Sequence, residues 1–283
     1  MKFSRRRFFQ HSLQAAAIPA LAGLGIASAV AQTPAAVRPQ FRLGMASFSL
    51  RNFNRAQAIQ MTRRAGIEYM CFKDMHLPMD STNEYIAAAA EECRRAGLKL
   101  YGCGVVYMSN AAEVHNTFRY AQAAGMNTII ASPRPDLLPL IDEKVKETGI
   151  YIAIHNHVGG EARYRTPASI VETVGSLDRR IGMCLDIGNA ARVGDDVVRS
   201  IHTYKDRIHD IHLKDETEAT PQGRNTIFGR GVLDLPAYML ALHQIGYDRI
   251  ASIEYEAEAN DPLPGIMESV GYIRGVLRMI TSV

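Results

Sequence analysis

The chain has 283 residues, 47% of them apolar and 22% charged, with 32 basic and 29 acidic side chains. That balance describes a globular chain with a full core and excludes disorder over most of its length. The charge is uneven. Lys2, Arg5, Arg6 and Arg7 are the only charged residues before position 32, so the formal +3 belongs to this first stretch and the remainder sits near −1. A near-neutral body argues against nucleic acid as a partner, because phosphate binding needs Lys and Arg clustered on one face. Beyond position 31 no stretch approaches the roughly 18 apolar residues of a membrane span.

Ser4-Arg5-Arg6-Arg7-Phe8-Phe9 resembles the twin-arginine signal of bacterial export. An Ala-rich run from Ala15 to Ala31 follows, interrupted by Pro19, Gly23 and Gly25 as in cleavable signals, and Ala29-Val30-Ala31 offers a small-x-small cleavage site. The expected organisation is a twin-arginine signal peptide over 1–31, a flexible linker over 32–40 and one domain over 41–283. The export machinery is then a partner and the periplasm the destination. That route carries folded proteins, so a metal can be loaded before export. Cys71, Cys93, Cys103 and Cys184 contain no CxxC pair, and three lie in apolar strand-like segments; they read as buried free thiols rather than disulfides.

From residue 41 onward, strand and helix alternate. Five times a helical segment runs into Gly and then an apolar strand, at Ala65-Gly66-Ile67, Ala96-Gly97-Leu98, Ala124-Gly125-Met126, Thr148-Gly149-Ile150 and Ile245-Gly246-Tyr247. Strands are expected at Leu43–Phe48, Tyr69–Phe72, Leu98–Cys103, Thr128–Ala131, Ile150–Ile154, Ile181–Ile187, Ile208–Leu213 and Ile250–Glu254, each followed by a helix. Eight such units in about 250 residues is the size of an α/β (β/α)8 TIM barrel. An open doubly wound sheet would show a Gly-rich phosphate loop after the first strand, where this chain has Ser47-Phe48-Ser49-Leu50-Arg51. A barrel places its chemistry at the C-terminal ends of the strands.

Those ends are polar in the last four strands. The fifth ends His155-Asn156-His157, with the two imidazoles on one face by alternation and Asn156 opposed. The sixth delivers Asp186 just before a Gly turn. The seventh sets Asp210, His212 and Lys214 on one face and His209 on the other, and the eighth ends with Glu254 and Glu256 in the same parity. Burial of so many ionisable groups is costly without a compensating partner. One divalent cation provides it, with imidazole and carboxylate ligands suiting Mn, Co, Fe, Ni or Zn. Two carboxylates disfavour a closed structural zinc site, so the pattern reads as an open catalytic metal. Whether His155 or His157 is the fifth-strand ligand is left open by parity alone.

The runs Lys73-Asp74-Met75-His76-Leu77-Pro78, His155-Asn156-His157, Leu185-Asp186-Ile187-Gly188, Ile211-His212-Leu213-Lys214-Asp215, Gly229-Arg230-Gly231 and Ile253-Glu254-Tyr255-Glu256 carry a family likeness. The chain resembles the sugar phosphate isomerase/epimerase superfamily with the xylose isomerase-like TIM barrel, and particularly its exported twin-arginine branch. The resemblance implies a cation (Mn, Co, Mg, Fe or Zn) held by His155, Asp186, His212 and Glu254. Two departures stand out: the fifth-strand acid of the family is His155, and the His often found three residues after the sixth-strand Asp is Asn189. With His155 in place of an acid, a two-carboxylate proton relay is not available in its usual form, and the base becomes Glu254 or a free His such as His157. The resemblance also implies assembly as dimers or tetramers.

The expected chemistry is proton abstraction next to a metal-polarised carbonyl of an unphosphorylated sugar or keto-sugar. Returning the proton gives isomerisation or epimerisation; losing a β-substituent gives a 3-keto-glycoside lyase or hydratase. Lys73 is a candidate for orienting a sugar oxygen or stabilising an enolate, and His76, Lys214, Asp215, Arg230 and Glu256 are candidate substrate contacts. Phe48, Tyr107 and Phe228 are candidate stacking platforms. Rival readings are a periplasmic barrel that only captures a sugar, a metal-dependent abasic-site endonuclease, which the near-neutral charge and export signal count against, and a barrel retained for assembly.

Overall fold

The computed structural model describes residues 41–159 and 162–281; the expected signal peptide and linker, residues 1–40, lie outside the described residues. Eight parallel strands close into a barrel in sequence order: β1 (Arg42–Ala46), β2 (Tyr69–Phe72), β3 (Lys99–Met108), β4 (Thr128–Pro133), β5 (Tyr151–His155), β6 (Ile181–Asp186), β7 (Ile208–Leu213) and β8 (Ile250–Ile253), which returns to β1. Helices α1 (Arg55–Arg64), α2 (Asn83–Arg95), α3 (Ala111–Ala124), α4 (Leu138–Thr148), α5 (Pro167–Val174), α6 (Ile187–Arg192), α7 (Val197–Thr203), α8 (Leu235–Gln244) and α9 (Leu263–Ile280) connect them. This is the (β/α)8 barrel expected from the repeat.

The punctuation has a physical basis. Helices begin on side-chain caps: Asn54 accepts from Gln57 N and Gln57 reaches back to it, while Thr82 accepts from Tyr85 N. The five helix-ending glycines all adopt left-handed backbone, with φ between 68° and 75°, a region that costs glycine little.

Three strands depart from expectation by two residues or more at one end, β4 by running on from Ala131 to Pro133. β1 is shorter, because Ser47–Leu50 coils into a 3-10 turn whose hydroxyls serve the neighbouring strand ends. Ser47 Oγ accepts from Lys73 N and Ser49 Oγ from Tyr255 N. β3 runs on to Met108, beyond the expected Cys103.

Alternation sorts the strand residues. Met183, Leu185, Ile211 and Ile253 face the helices and join the main core. A smaller buried cluster of Cys71, Tyr101, Ile130, Ala153, Cys184 and Ile250 fills the barrel interior. All four cysteines are buried and free.

His209 takes the outward face of β7, as parity predicts, and its Nε2 donates to the Arg179 carbonyl at 2.8 Å while the ring meets Tyr151 edge-on. Burial, reinforced by the Arg249 charge, lowers its pKa to about 4. The unfolded chain therefore binds a proton that the folded chain refuses between pH 6.5 and 4. The associated stability is fully present above pH 6.5 and is lost as pH falls toward 4, amounting to about 3 kcal/mol. Urea denaturation over that range should show the loss in the native protein and a shallower pH slope in His209→Phe. Equal slopes would contradict the assignment.

Candidate functional site

Strand register assembles the site. His155 and Cys184 are cross-strand partners, as are Asp186 and His212, and Glu254 N donates to the Leu213 carbonyl just past β7. The C-terminal ends of β5, β6, β7 and β8 thus present four inward side chains at one level. Ligand atoms of His155, Asp186, His212 and Glu254 all lie within 4.8 Å of one another, and all four residues are buried.

Asp186 has two tasks. Its Oδ1 accepts from Asn189 N at 2.7 Å and caps α6, which fixes the carboxylate at the strand end. Its Oδ2 faces the site, 3.2 Å from His155 Nε2. Asn156, on the opposite face from His155, ties β5 to β6: its Oδ1 accepts from Asp186 N and its Nδ2 donates to the Asp186 carbonyl. Its own carbonyl accepts from Asn189 Nδ2. Asn189, standing where a His is common in the resembling family, therefore braces the ligand-bearing turn.

His212 Nδ1 lies 3.0 Å from Glu254 Oε2. Lys214 completes the cluster, with Nζ 3.1 Å from Asp186 Oδ2, 2.8 Å from Glu254 Oε2 and 2.5 Å from Glu256 Oε1. These charges set the protonation states. Burial pushes the Asp186 carboxyl up, but Lys214 and the His155 hydrogen bond outweigh it and bring it down to about 2. Burial likewise opposes ionisation of Glu254, yet His212 and Lys214 hold it well below the usual carboxylate range. Burial lowers the His155 pKa despite Asp186. His212 goes the other way, since Glu254, Asp210 and Asp186 more than offset its burial. Burial opposes the Lys214 charge too, but Asp186, Glu254 and Glu256 raise its pKa well above the ordinary value.

The donor set fits a cation. His155 Nε2 and Asp186 Oδ2 stand 3.2 Å apart and His212 Nδ1 and Glu254 Oε2 3.0 Å apart, so two imidazole nitrogens and two carboxylate oxygens already face one another inside the buried cluster. Two imidazoles and two carboxylates are a borderline donor set suited to Mn, Fe, Co, Ni or Zn.

A cavity of about 480 Å³ opens beside the cluster, lined among others by His155, His157, Tyr107, Ser132 and Arg163. Of the two fifth-strand histidines it is His155 that joins the quartet; His157 is exposed on the cavity wall, its ring 5.9 Å from that of His155. His157 Nδ1 donates to the Val158 carbonyl at 2.5 Å, which leaves the lone pair on Nε2. Lys73, at the end of β2, meets two residues of this wall, donating to the Val105 carbonyl at 2.5 Å with Nζ 5.5 Å from the Tyr107 ring centre.

Three expected substrate contacts are engaged by other parts of the protein. His76 is buried with both ring nitrogens engaged, Nδ1 with Ser47 Oγ and Nε2 with the Phe53 carbonyl, so it braces the β1 and β2 loops. Asp215 is fully buried and accepts from the backbone N–H of Glu216, Gly229, Gly231 and Leu233, so its carboxylate organises the loop after β7. Arg230 forks Glu268 on α9 with two hydrogen bonds, an exposed ion pair. Phe228 is buried in the core, which removes it as a stacking platform. Lys214 and Glu256 stay with the site.

Sequence reasoning missed Arg163 and Glu216. Arg163 follows β5 in a segment without periodicity; its guanidinium donates to the Ser132 carbonyl at 2.8 Å on the cavity wall. Glu216 is buried with Oε2 unpartnered, and burial raises its pKa to about 7. It packs at the Gly188 turn, where an added Cβ would come within 2.8 Å of Lys214 Cβ and 2.9 Å of Glu216 Oε1.

Comparison with known proteins agrees with this fold. A model of the xylose isomerase-like TIM barrel matches residues 56–276. The rhizopine catabolism protein MocC of Rhizobium meliloti is 27% identical over 152 residues, 46% of this chain and 44% of that protein. The putative L-ribulose-5-phosphate 3-epimerase SgbU of Escherichia coli K12 is 33% identical over 93 residues, 31% of this chain and 32% of that protein. The matches thus span less than half the length of either relative. Among solved structures, the IOLI protein with a bound zinc atom superposes with a TM-score of 0.73 at 17% identity, covering 86% of this chain and all of that one.

Proposed function

This chain belongs to the xylose isomerase-like TIM barrel family, and from that premise we propose a divalent-metal-dependent enzyme that isomerises or epimerises an unphosphorylated sugar or keto-sugar. The observation that carries the proposal is the convergence of His155, Asp186, His212 and Glu254 beside an open cavity. These four residues would hold the cation. When bound it supplies Lewis-acid polarisation of a carbonyl and its neighbouring hydroxyl, which makes the adjacent C–H acidic.

The remaining steps belong to side chains. Glu254 is committed to the cluster by His212 and Lys214, which leaves His157 as the base: its Nε2 lone pair is fixed by the Val158 contact and its ring lines the cavity. Lys214 and Glu256 orient sugar hydroxyls from the cluster side, and Lys73 does so across the mouth. Return of the proton from His157 to the neighbouring carbon gives the isomer; the epimer forms when His157 keeps the abstracted proton and a water on the opposite face of the same carbon supplies another. Departure of a β-substituent gives the lyase or hydratase outcome. We extend the proposal to export by the twin-arginine route and action in the periplasm, on the strength of the Ser4–Phe9 motif.

Proton NMR of candidate keto-sugars and 3-keto-glycosides in D2O tests the function. Manganese-loaded protein should place deuterium on a carbon next to the carbonyl, and His157→Asn should slow that exchange by roughly 10²–10⁴-fold, the usual contribution of a positioned general base. Saturable binding with no deuterium uptake would instead make the protein a sugar-capturing barrel and overturn the enzyme proposal. An unaffected His157→Asn variant would remove His157 as the base.

A further inference from the structure

We infer that His155 and His212 form, together with Cys184, a second cation position one layer deeper in the barrel, selective for thiophilic divalent ions such as zinc and cadmium. The strand register creates it. Cys184 lies directly across from His155 in the β5–β6 pairing and two residues before Asp186, so its side chain shares the inward face roughly 6–7 Å further down. The sulfur and one nitrogen from each of His155 and His212 all lie within 4.8 Å of one another. Donors around a tetrahedral zinc stand roughly 3.5 Å apart, given bond lengths of about 2.0–2.3 Å, so modest side-chain rotation completes the set.

A second observation points to a ligand. The carboxylates of Asp186 and Glu254 engage His155 Nε2 and His212 Nδ1, while His155 Nδ1 and His212 Nε2 are buried and unpartnered on residues 3% and 1% exposed. Cys184 is itself fully buried, and its thiol makes one weak hydrogen bond, to Asp210 Oδ1 at 3.8 Å. The surrounding interior combines Ala153, Cys71 and Ile130 with the buried Asp210 carboxyl, so a lone thiolate is disfavoured there and a cation would neutralise it.

Binding is an exchange without redox chemistry. The Cys184 S–H bond breaks, a sulfur–metal bond forms, the proton leaves to solvent, and each imidazole contributes a nitrogen lone pair. Softness then sorts the cations. Manganese and magnesium prefer the carboxylate quartet, whereas zinc and cadmium are drawn toward sulfur and take both imidazoles with them. On the function proposed above, and only there, this makes soft ions inhibitory.

The test is titration of the full-length protein with cobalt(II) and cadmium(II), followed by ultraviolet absorption and sulfur-sensitive X-ray absorption spectroscopy. The native protein should develop a thiolate-to-metal charge-transfer band saturating at one equivalent. Cys184→Ser should lose the band, and Cys71→Ser, which alters a neighbouring interior thiol, should keep it. X-ray absorption on the native protein reads sulfur coordination without any variant, so a folding failure of Cys184→Ser leaves the question decided. Cadmium bound with only nitrogen and oxygen neighbours would overturn the sulfur position while sparing the quartet. A band lost in Cys71→Ser but kept in Cys184→Ser would overturn it as well. No metal bound at all would overturn both positions together.

Discussion

Replacing Asp186 with Asn should reduce turnover by roughly a thousand-fold or more, the scale expected when several kcal/mol of metal-derived electrostatic stabilisation is withdrawn. The substitution is nearly isosteric, and its side-chain oxygen can still accept the Asn189 N–H that caps α6. The turn after β6 should therefore keep its shape, and the loss should fall on the cluster. Deuterium uptake by the substrate, with circular dichroism to confirm the fold, separates the two effects. A folded Asp186→Asn protein with native exchange rates would show that the quartet takes no part in the chemistry.

Lys214→Met carries the second large effect, and its size depends on metal. Lys214 Nζ is within 3.1 Å of carboxylate oxygens from Asp186, Glu254 and Glu256. Removing the ammonium leaves buried carboxylates facing one another, and breaking a buried ion network by deleting one partner costs about 3–5 kcal/mol. A divalent cation binding those carboxylates replaces the missing charge. The variant should therefore unfold at a markedly lower temperature than the native protein in chelator, and most of the deficit should disappear with excess manganese. Manganese should also bind the variant more tightly, since it no longer shares the carboxylates with a fixed positive charge. Equal melting temperatures in chelator, or a deficit that manganese leaves untouched, would contradict this account of Lys214.

The barrel was legible because its signals are local. Each of the five marked helices ends in a glycine that turns left-handed, and an apolar run follows within a residue or two. The quartet was legible for a related reason. Alternation and the barrel narrowed the candidates to inward residues at the C-terminal ends of β5 to β8, while the choice of His155, Asp186, His212 and Glu254 among them came from the family resemblance, since parity alone left His155 and His157 open. What escaped were groups whose partners arrive from remote segments. His76 reads as a loop histidine until Ser47 and Phe53 close on it. Asp215 follows Lys214 in the chain, yet its role is set by N–H groups from Gly229, Gly231 and Leu233. Arg230 between two glycines suggests a clamp, and its ion pair with Glu268, 38 residues on, shows only in the fold. The shortening of β1 has the same origin: Ser47 and Ser49 are strand-compatible until the ends of β2 and β8 require their hydroxyls. Lys214 is intermediate. Parity put it beside His212, but only folding shows that three carboxylates share it.

The central claim is that one cation is held jointly by side chains from the last four strands. Metal analysis of the purified protein, with manganese binding followed by calorimetry in native protein and in an Asp186→Asn/His212→Ala double variant, tests it most directly. The account predicts one equivalent per native chain and none above background in the folded double variant. A native protein that turns over its substrate without metal, or a double variant that binds manganese as tightly as the native one, would contradict it.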